Sequence, residues 1–83
     1  MGPQVTPRQR TLVVEDVYCV EVGAGHTAWL RGPQAGKVLL RLELAKMYDH
    51  SAGTWSFSRR RVDEVVRYLH RRRRAVEVVE VDR

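Results

Sequence analysis

The residues best suited to chemistry in this chain are arginines, eight of which fall within the sixteen positions Arg59–Arg74. A surface with this density of guanidinium groups favours a polyanionic partner, because each group can bind a phosphate. The alternative is a solvated helix in a protein that prefers arginine to lysine, since 13 of the 15 cationic residues are Arg. Such a preference explains the residue type but not the clustering, so the sequence indicates an anion-binding surface.

A second candidate surface combines a tryptophan with cations on two neighbouring strands. If the even positions of His26–Arg31 face the core, Trp29 and Arg31 share the outer face of that strand. Lys37 and Arg41 would then lie beside them on the outer face of the next strand. An exposed ring on a basic sheet can stack nucleobases while the cations hold phosphates. The alternative is that Trp29 is buried in the core or in a dimer interface.

The other motifs do not indicate catalysis. Gly32–Val38 resembles a phosphate-binding loop, but it has one residue too few between its glycines and no Ser or Thr after its lysine. His26, His50, His70 and the single cysteine, Cys19, lack the spacing of a zinc site. We therefore expect no enzyme activity, no cofactor and no metal.

The basic segment must be positioned by an amphipathic helix. Val62, Val65, Val66 and Leu69 follow the i, i+3, i+4, i+7 spacing of a helix that docks one face on a core. Ser58 is the expected N-cap, which places three arginines in the first turn, where the macrodipole disfavours cations. This unfavourable placement suggests that the arginines serve a role other than helix stability.

The remaining segments predict strands, and the clearest one alternates Val38, Leu40, Leu42 and Leu44 on a core face. The expected fold class is α+β: an antiparallel β-meander of four strands, then one basic amphipathic helix and a short C-terminal strand. Residues 1–10 are predicted to be a flexible arm, and residues 11–83 a single domain. The predicted strands are Thr11–Val22, His26–Arg31, Lys37–Tyr48, Thr54–Ser58 and Ala75–Val81.

Length and composition narrow the class of protein. A chain of 83 residues with net charge +5 and a pI near 10.1 fits one small globular domain with an acidic partner. No apolar run is long enough to cross a membrane, so the expected location is cytoplasmic, or nuclear in a eukaryote. A short chain and an apolar odd face on the first strand, with Val13, Val17 and Cys19, predict a homodimer.

The segment Gly36–Leu40 is similar to the glycine, lysine and aliphatic strand opening of the PC4-like family of single-stranded DNA-binding transcription cofactors. A turn, a short strand and Ser58 before a helix follow in the family's order, so the resemblance covers about Thr11–Arg73. It implies an antiparallel meander, dimerisation through the helical region, and single strands bound along the sheet. It also implies that Lys37 contacts the bound nucleic-acid strand. The chain departs from the family at Arg59–Arg61, where a proline and acid signature usually opens the helix, and in its extra C-terminal strand.

The sequence thus predicts a non-enzymatic nucleic-acid-binding protein that prefers single-stranded DNA or RNA. Two alternatives remain: a small regulator of viral or phage type that docks on an acidic protein surface, and a subunit that is stable only within a larger assembly. The sequence does not decide whether the ligand is DNA or RNA. The candidate contact residues are Trp29, Arg31, Lys37, Arg41, Ser58, Arg59, Arg60, Arg61, Arg67 and Arg71.

Overall fold

The structure, a computed structural model, describes residues 17–83. The predicted arm, residues 1–10, and the first part of the first predicted strand, residues 11–16, lie outside this range. In chain order the elements are β1 (Val17–Val22), β2 (Thr27–Arg31), α1 (Ala35–Arg41), β3 (Lys46–Asp49), β4 (Thr54–Ser58), a 3₁₀ turn (Arg59–Arg61), α2 (Val62–Arg71) and β5 (Ala75–Glu80).

The five strands form one sheet in the order β3-β4-β2-β1-β5, so the predicted α+β class is confirmed. The sheet is mixed, however, and the predicted meander is wrong in its order. β2 pairs with β4 and not with β3, and β5 runs parallel to β1. The parallel pairing follows from α2, which crosses the sheet and returns the chain to the end where β4 began. β5 therefore runs in the same direction as β4, and β4 has the same direction as β1.

The predicted strand Lys37–Tyr48 is wrong, because its first half is helix α1. Ala35, Val38 and Leu39 are buried and Leu42 is half-buried, which is the i, i+3, i+4, i+7 spacing of a helix packed on a core. Leu40, which the alternating pattern placed in the core, is 61% exposed.

The helix α1 stops at a left-handed residue. Glu43 has a φ of 58°, and the amide of Leu44 donates to the carbonyl of Leu39 at 3.1 Å. This turn closes the helix in the manner of a C-terminal capping motif and sends the chain back toward the sheet. Of the predicted strand, only residues 46–48 belong to β3.

Both helices pack on one face of the sheet. The core joins side chains of α1 and α2 to the even positions of β1 and β2, and its fully buried members are Val20, Leu30, Leu39, Val65 and Leu69. The predicted apolar stripe of the basic helix is therefore confirmed, with Val62 and Val66 half-buried at its edge.

The start of the basic helix differs from the prediction. The three arginines Arg59–Arg61 form a 3₁₀ turn, and α2 itself begins at Val62. Asp63 and Glu64 thus occupy the first α-helical turn, where negative charge is favourable. Ser58 precedes the 3₁₀ turn in an extended conformation, but its hydroxyl makes no capping hydrogen bond. None of the helices in residues 17–83 is long and apolar enough to span a membrane.

Candidate functional site

A basic groove lies between the two helices, and we call it the interhelical groove. It has a volume of about 230 Å³, and its cationic lining residues are Lys37 and Arg41 of α1 with Arg72 and Arg74 from the end of α2. Lys37 and Arg41 are four positions apart, so they project from the same side of α1. Among the residues the structure describes, no aspartate or glutamate lines this groove. The sequence prediction included Lys37 and Arg41 but missed the other two cations.

The chain geometry after α2 explains why two further arginines reach the groove. Arg73 has a φ of 62°, in the left-handed region, and the amide of Arg74 donates to the carbonyl of Leu69 at 3.0 Å. This turn ends α2 and folds the chain back beside the helix. A non-glycine residue in this conformation costs about 1 kcal/mol or more, so packing elsewhere must hold it.

Arg72 is fixed in orientation within the groove. Its Nε donates to the hydroxyl of Tyr68 at 2.8 Å, and its guanidinium carbon lies 5.0 Å from the centroid of the Tyr68 ring. A guanidinium held by a ring and a hydroxyl loses less conformational freedom when it binds an anion. Tyr68 and Arg72 are four positions apart, so they lie on one side of the helix. This spacing can be read from the sequence alone.

The other predicted arginines occupy different surroundings. Arg59 and Arg60 line a cleft of about 400 Å³ with His26 and Asp63, so this cleft carries both signs of charge. The guanidinium of Arg61 is engaged by the carboxylate of Glu64, a contact that raises the pKa of Arg61 and lowers that of Glu64. Arg67 and Arg71 are exposed and one turn apart on α2.

Trp29 is not the exposed stacking residue that the sequence suggested. Ala28 and Leu30 face the core as expected, so Trp29 and Arg31 do share the opposite face of β2. The indole is nevertheless only 4% exposed, and its Nε1 donates to Asp49 Oδ2 at 2.8 Å. The guanidinium of Arg83 lies 5.1 Å from the ring centroid. Trp29 is therefore covered by Asp49, at the end of β3, and by Arg83.

Arg31 is likewise held in protein contacts. Its Nε donates to Glu21 Oε2 at 2.9 Å, and its Nη2 donates to the carbonyl of Ala52 at 2.6 Å. The predicted neighbours Lys37 and Arg41 belong to α1, which packs on the other face of the sheet, and so they do not lie beside Arg31. The predicted basic sheet surface is therefore wrong, while its two α1 cations join a different basic surface.

A second groove contains aromatic residues that the prediction did not assign to binding, and we call it the aromatic groove. It has a volume of about 530 Å³ between the start of α1 and the helix-side face of β3 and β4. Tyr48, which is 40% exposed, meets the half-buried Trp55 edge to face, with centroids 5.3 Å apart. Lys46 Nζ lies 5.3 Å from the Trp55 ring centroid. Phe57 shares this face of β4 with Trp55 and is buried.

The two grooves adjoin each other across α1. Lys37 and Gln34 line both of them. An extended ligand that follows this surface would meet cations in the interhelical groove and aromatic rings in the aromatic groove.

The remaining candidate chemistry is weak in the described residues. Burial, and then the charges of Glu21 and Glu77, raise the pKa of the Cys19 thiol, which disfavours the nucleophilic thiolate. Within residues 17–83, no three His, Cys, Asp or Glu side chains are grouped so that they could hold a metal ion.

Comparison of the chain with protein-family models, with curated proteins and with solved structures finds no match. The segment Gly36–Leu40, which suggested a strand opening of the PC4-like family, is helical in the structure. The features of this chain that bear on its function are therefore the two grooves and the charges around them.

Proposed function

We propose that this chain is a non-enzymatic nucleic-acid-binding module that holds the phosphates of a single-stranded DNA or RNA in the interhelical groove. The observation that carries the proposal is the convergence of Lys37, Arg41, Arg72 and Arg74 on one groove. Four cations, two from α1 and two from the turn that follows α2, create a positive site whose natural ligand is a chain of phosphates. A cytoplasmic location, or a nuclear one in a eukaryote, belongs to the same proposal.

The arginines along α2 extend this basic surface. The helix has 10 residues and is therefore about 15 Å long, with exposed Arg67 and Arg71 along it. Arg59 and Arg60 stand at its far end beside Asp63, which weakens the attraction of that end for an anion. The phosphates are thus expected to follow α2 from the interhelical groove, where Lys37, Arg41 and Arg72 lie together.

The test is a binding titration with a labelled oligonucleotide at two salt concentrations. Arg41→Gln should weaken binding by roughly 1–2 kcal/mol and make the log–log salt slope about one unit shallower. Arg83→Gln is the matched control, because it removes the same charge from the opposite face of the sheet, beside Trp29. We expect this control to bind as the unmodified protein does.

Two results would contradict the proposal. If no oligonucleotide binds at micromolar protein, or if binding does not depend on salt, the phosphate contacts do not exist. If Arg41→Gln and Arg83→Gln weaken binding equally, the attraction depends on net charge and not on the groove. Tight binding to an acidic protein without competition from nucleic acid would favour the docking regulator.

A further inference from the structure

The aromatic groove has the properties of a site for a flat ring. Its lining includes Trp55, Tyr48 and the aliphatic Leu40, which is 61% exposed. Its volume of about 530 Å³ lies within the range of roughly 300–1,000 Å³ that small-ligand pockets occupy. An exposed leucine beside the exposed Tyr48 and the half-buried Trp55 offers an apolar surface that a stacked ligand can cover.

The charges around this groove favour an anionic ligand. Lys37 and Lys46, the only two lysines in the chain, both line it. Among the described residues, no carboxylate contributes to its lining. A ligand with one planar ring and a neighbouring negative charge would match both the rings and the ammonium groups.

The polar atom of the Tyr48 ring is available to such a ligand. Among residues 17–83 the Tyr48 hydroxyl has no hydrogen-bond partner, and the side chain is 40% exposed. This hydroxyl can hydrogen-bond the edge of a base or a sugar oxygen.

Gly36 fixes the position of the Trp55 ring. A methyl group at this position would lie 2.7 Å from Trp55 Nε1 and 2.9 Å from its Cε2, so only glycine lets α1 approach the edge of the indole. The ring is thus held along one edge by the α1 backbone and meets Tyr48 edge to face. Lys46, which lies over the indole at 5.3 Å, is a long side chain that can move aside and pair with a phosphate when a base stacks.

We propose that the aromatic groove receives an unpaired nucleobase from a strand whose phosphates lie in the interhelical groove, and that this contact selects single strands over duplexes. Lys37 borders both grooves, so one nucleotide can place its phosphate and its base on the two sides of α1. A paired base cannot enter the groove without leaving its stack. The inference rests on the proposed function, and it adds that the unpaired base is the part of the ligand that is recognised.

The experiment compares three probes of equal length: a single-stranded oligonucleotide, its duplex, and an abasic phosphodiester oligomer. The abasic oligomer keeps the phosphates and removes the bases. We expect the unmodified protein to bind the single strand about five-fold or more tightly than either of the other two. DNA and RNA versions of the single strand show whether the sugar matters.

Tyr48→Ala is the principal variant, because Tyr48 lies on an edge strand and is partly exposed. It should lose the preference for the single strand while its affinity for the abasic oligomer stays unchanged. Met47→Ala is the matched control: it is the adjacent residue on β3, it is 72% exposed, and it faces the other side of the sheet. This control should keep the preference. Trp55→Phe keeps an aromatic ring and should therefore keep the preference for the single strand, whereas Trp55→Ala should lose it.

The outcomes separate the inference from the proposed function. If the unmodified protein binds the abasic oligomer or the duplex as tightly as the single strand, the base site does not exist, although the phosphate groove stands. The inference also fails if Tyr48→Ala folds and keeps the preference. If none of the three probes binds, the proposed function itself is wrong and the base site falls with it.

Discussion

At the scale of single residues, Asp49 joins parts of the fold that are distant in sequence. One carboxylate oxygen accepts the indole hydrogen of Trp29, and the other accepts the amides of Ser51 and Ala52 and the Ser51 hydroxyl. These hydrogen bonds, above all the one from the Ser51 hydroxyl and then the one from Trp29, lower the pKa of Asp49 from an ordinary value of 3.8 to about 2.

This lowered pKa predicts a specific loss of stability in acid. The charged carboxylate stabilises the fold above about pH 4, and that stabilisation should disappear as the pH falls toward 2. Asp49→Asn should lower the free energy of unfolding at pH 7 and flatten its decline between pH 4 and pH 2. Urea unfolding at several pH values measures both effects. Asp63→Asn controls for the removal of one carboxylate, and equally steep declines in all three proteins would contradict the role of Asp49.

The sequence left two placements of Trp29 open, an exposed position on the outer face of its strand and burial in the core or in a dimer interface. In the structure the indole lies on the face opposite Ala28 and Leu30, and it is buried there. Its cover comes from Asp49 and from Arg83, which lie far along the chain. Periodicity describes neighbours within one element, so it contains no information about such contacts.

At the scale of elements, α1 shows how one pattern can satisfy two periods. The segment from Ala35 to Leu44 alternates as a strand does, and it also has apolar residues at helical spacing. Pro33 before the segment and the abundance of leucine, lysine and arginine within it favour a helix. The basic helix after β4 has only the helical period, because polar and charged residues separate the members of its apolar stripe. Its apolar stripe was therefore predicted correctly, whereas the buried face of α1 was not.

Two neighbouring leucines distinguish the helix from the predicted strand. Leu39 is fully buried in the structure and Leu40 is 61% exposed, which reverses their places in the alternating pattern. Leu39→Ala should therefore destabilise the protein by about 2–5 kcal/mol, whereas Leu40→Ala should stay within roughly 0.5 kcal/mol. Thermal or urea unfolding of the two variants gives the comparison directly. If Leu40→Ala were the more destabilising variant, the segment would be the predicted strand and not a helix.

At the scale of the whole molecule, both helices cover one face of the sheet and leave the other without a helix in residues 17–83. Val17, which is 37% exposed, and Met47 lie on that second face, and Cys19 is half-buried there. The α+β class could be predicted because strand and helix propensities are local. The parallel placement of β5 could not, since it depends on where α2 crosses the sheet.

The homodimer predicted from the apolar odd face of the first strand is expected to use this second face. Sedimentation equilibrium at high micromolar concentration should give twice the monomer mass. Val17→Asp should reduce that mass to the monomer or unfold the protein, because an unpaired charge buried in an interface costs several kcal/mol, on the order of 3–5. Leu40→Asp places the same charge on the helical side and should leave the dimer intact. A strictly monomeric mass for the unmodified protein would rule the dimer out.

The pairing of β1 with β5 also determines when the sheet can be completed during synthesis. β1 is an interior strand, yet one of its two neighbours is the last strand in the described chain. Until residues 75–80 have left the ribosome, β1 has unpaired amides and carbonyls on one side, as an edge strand does. Pairings between such distant segments form late, because a long loop must close first.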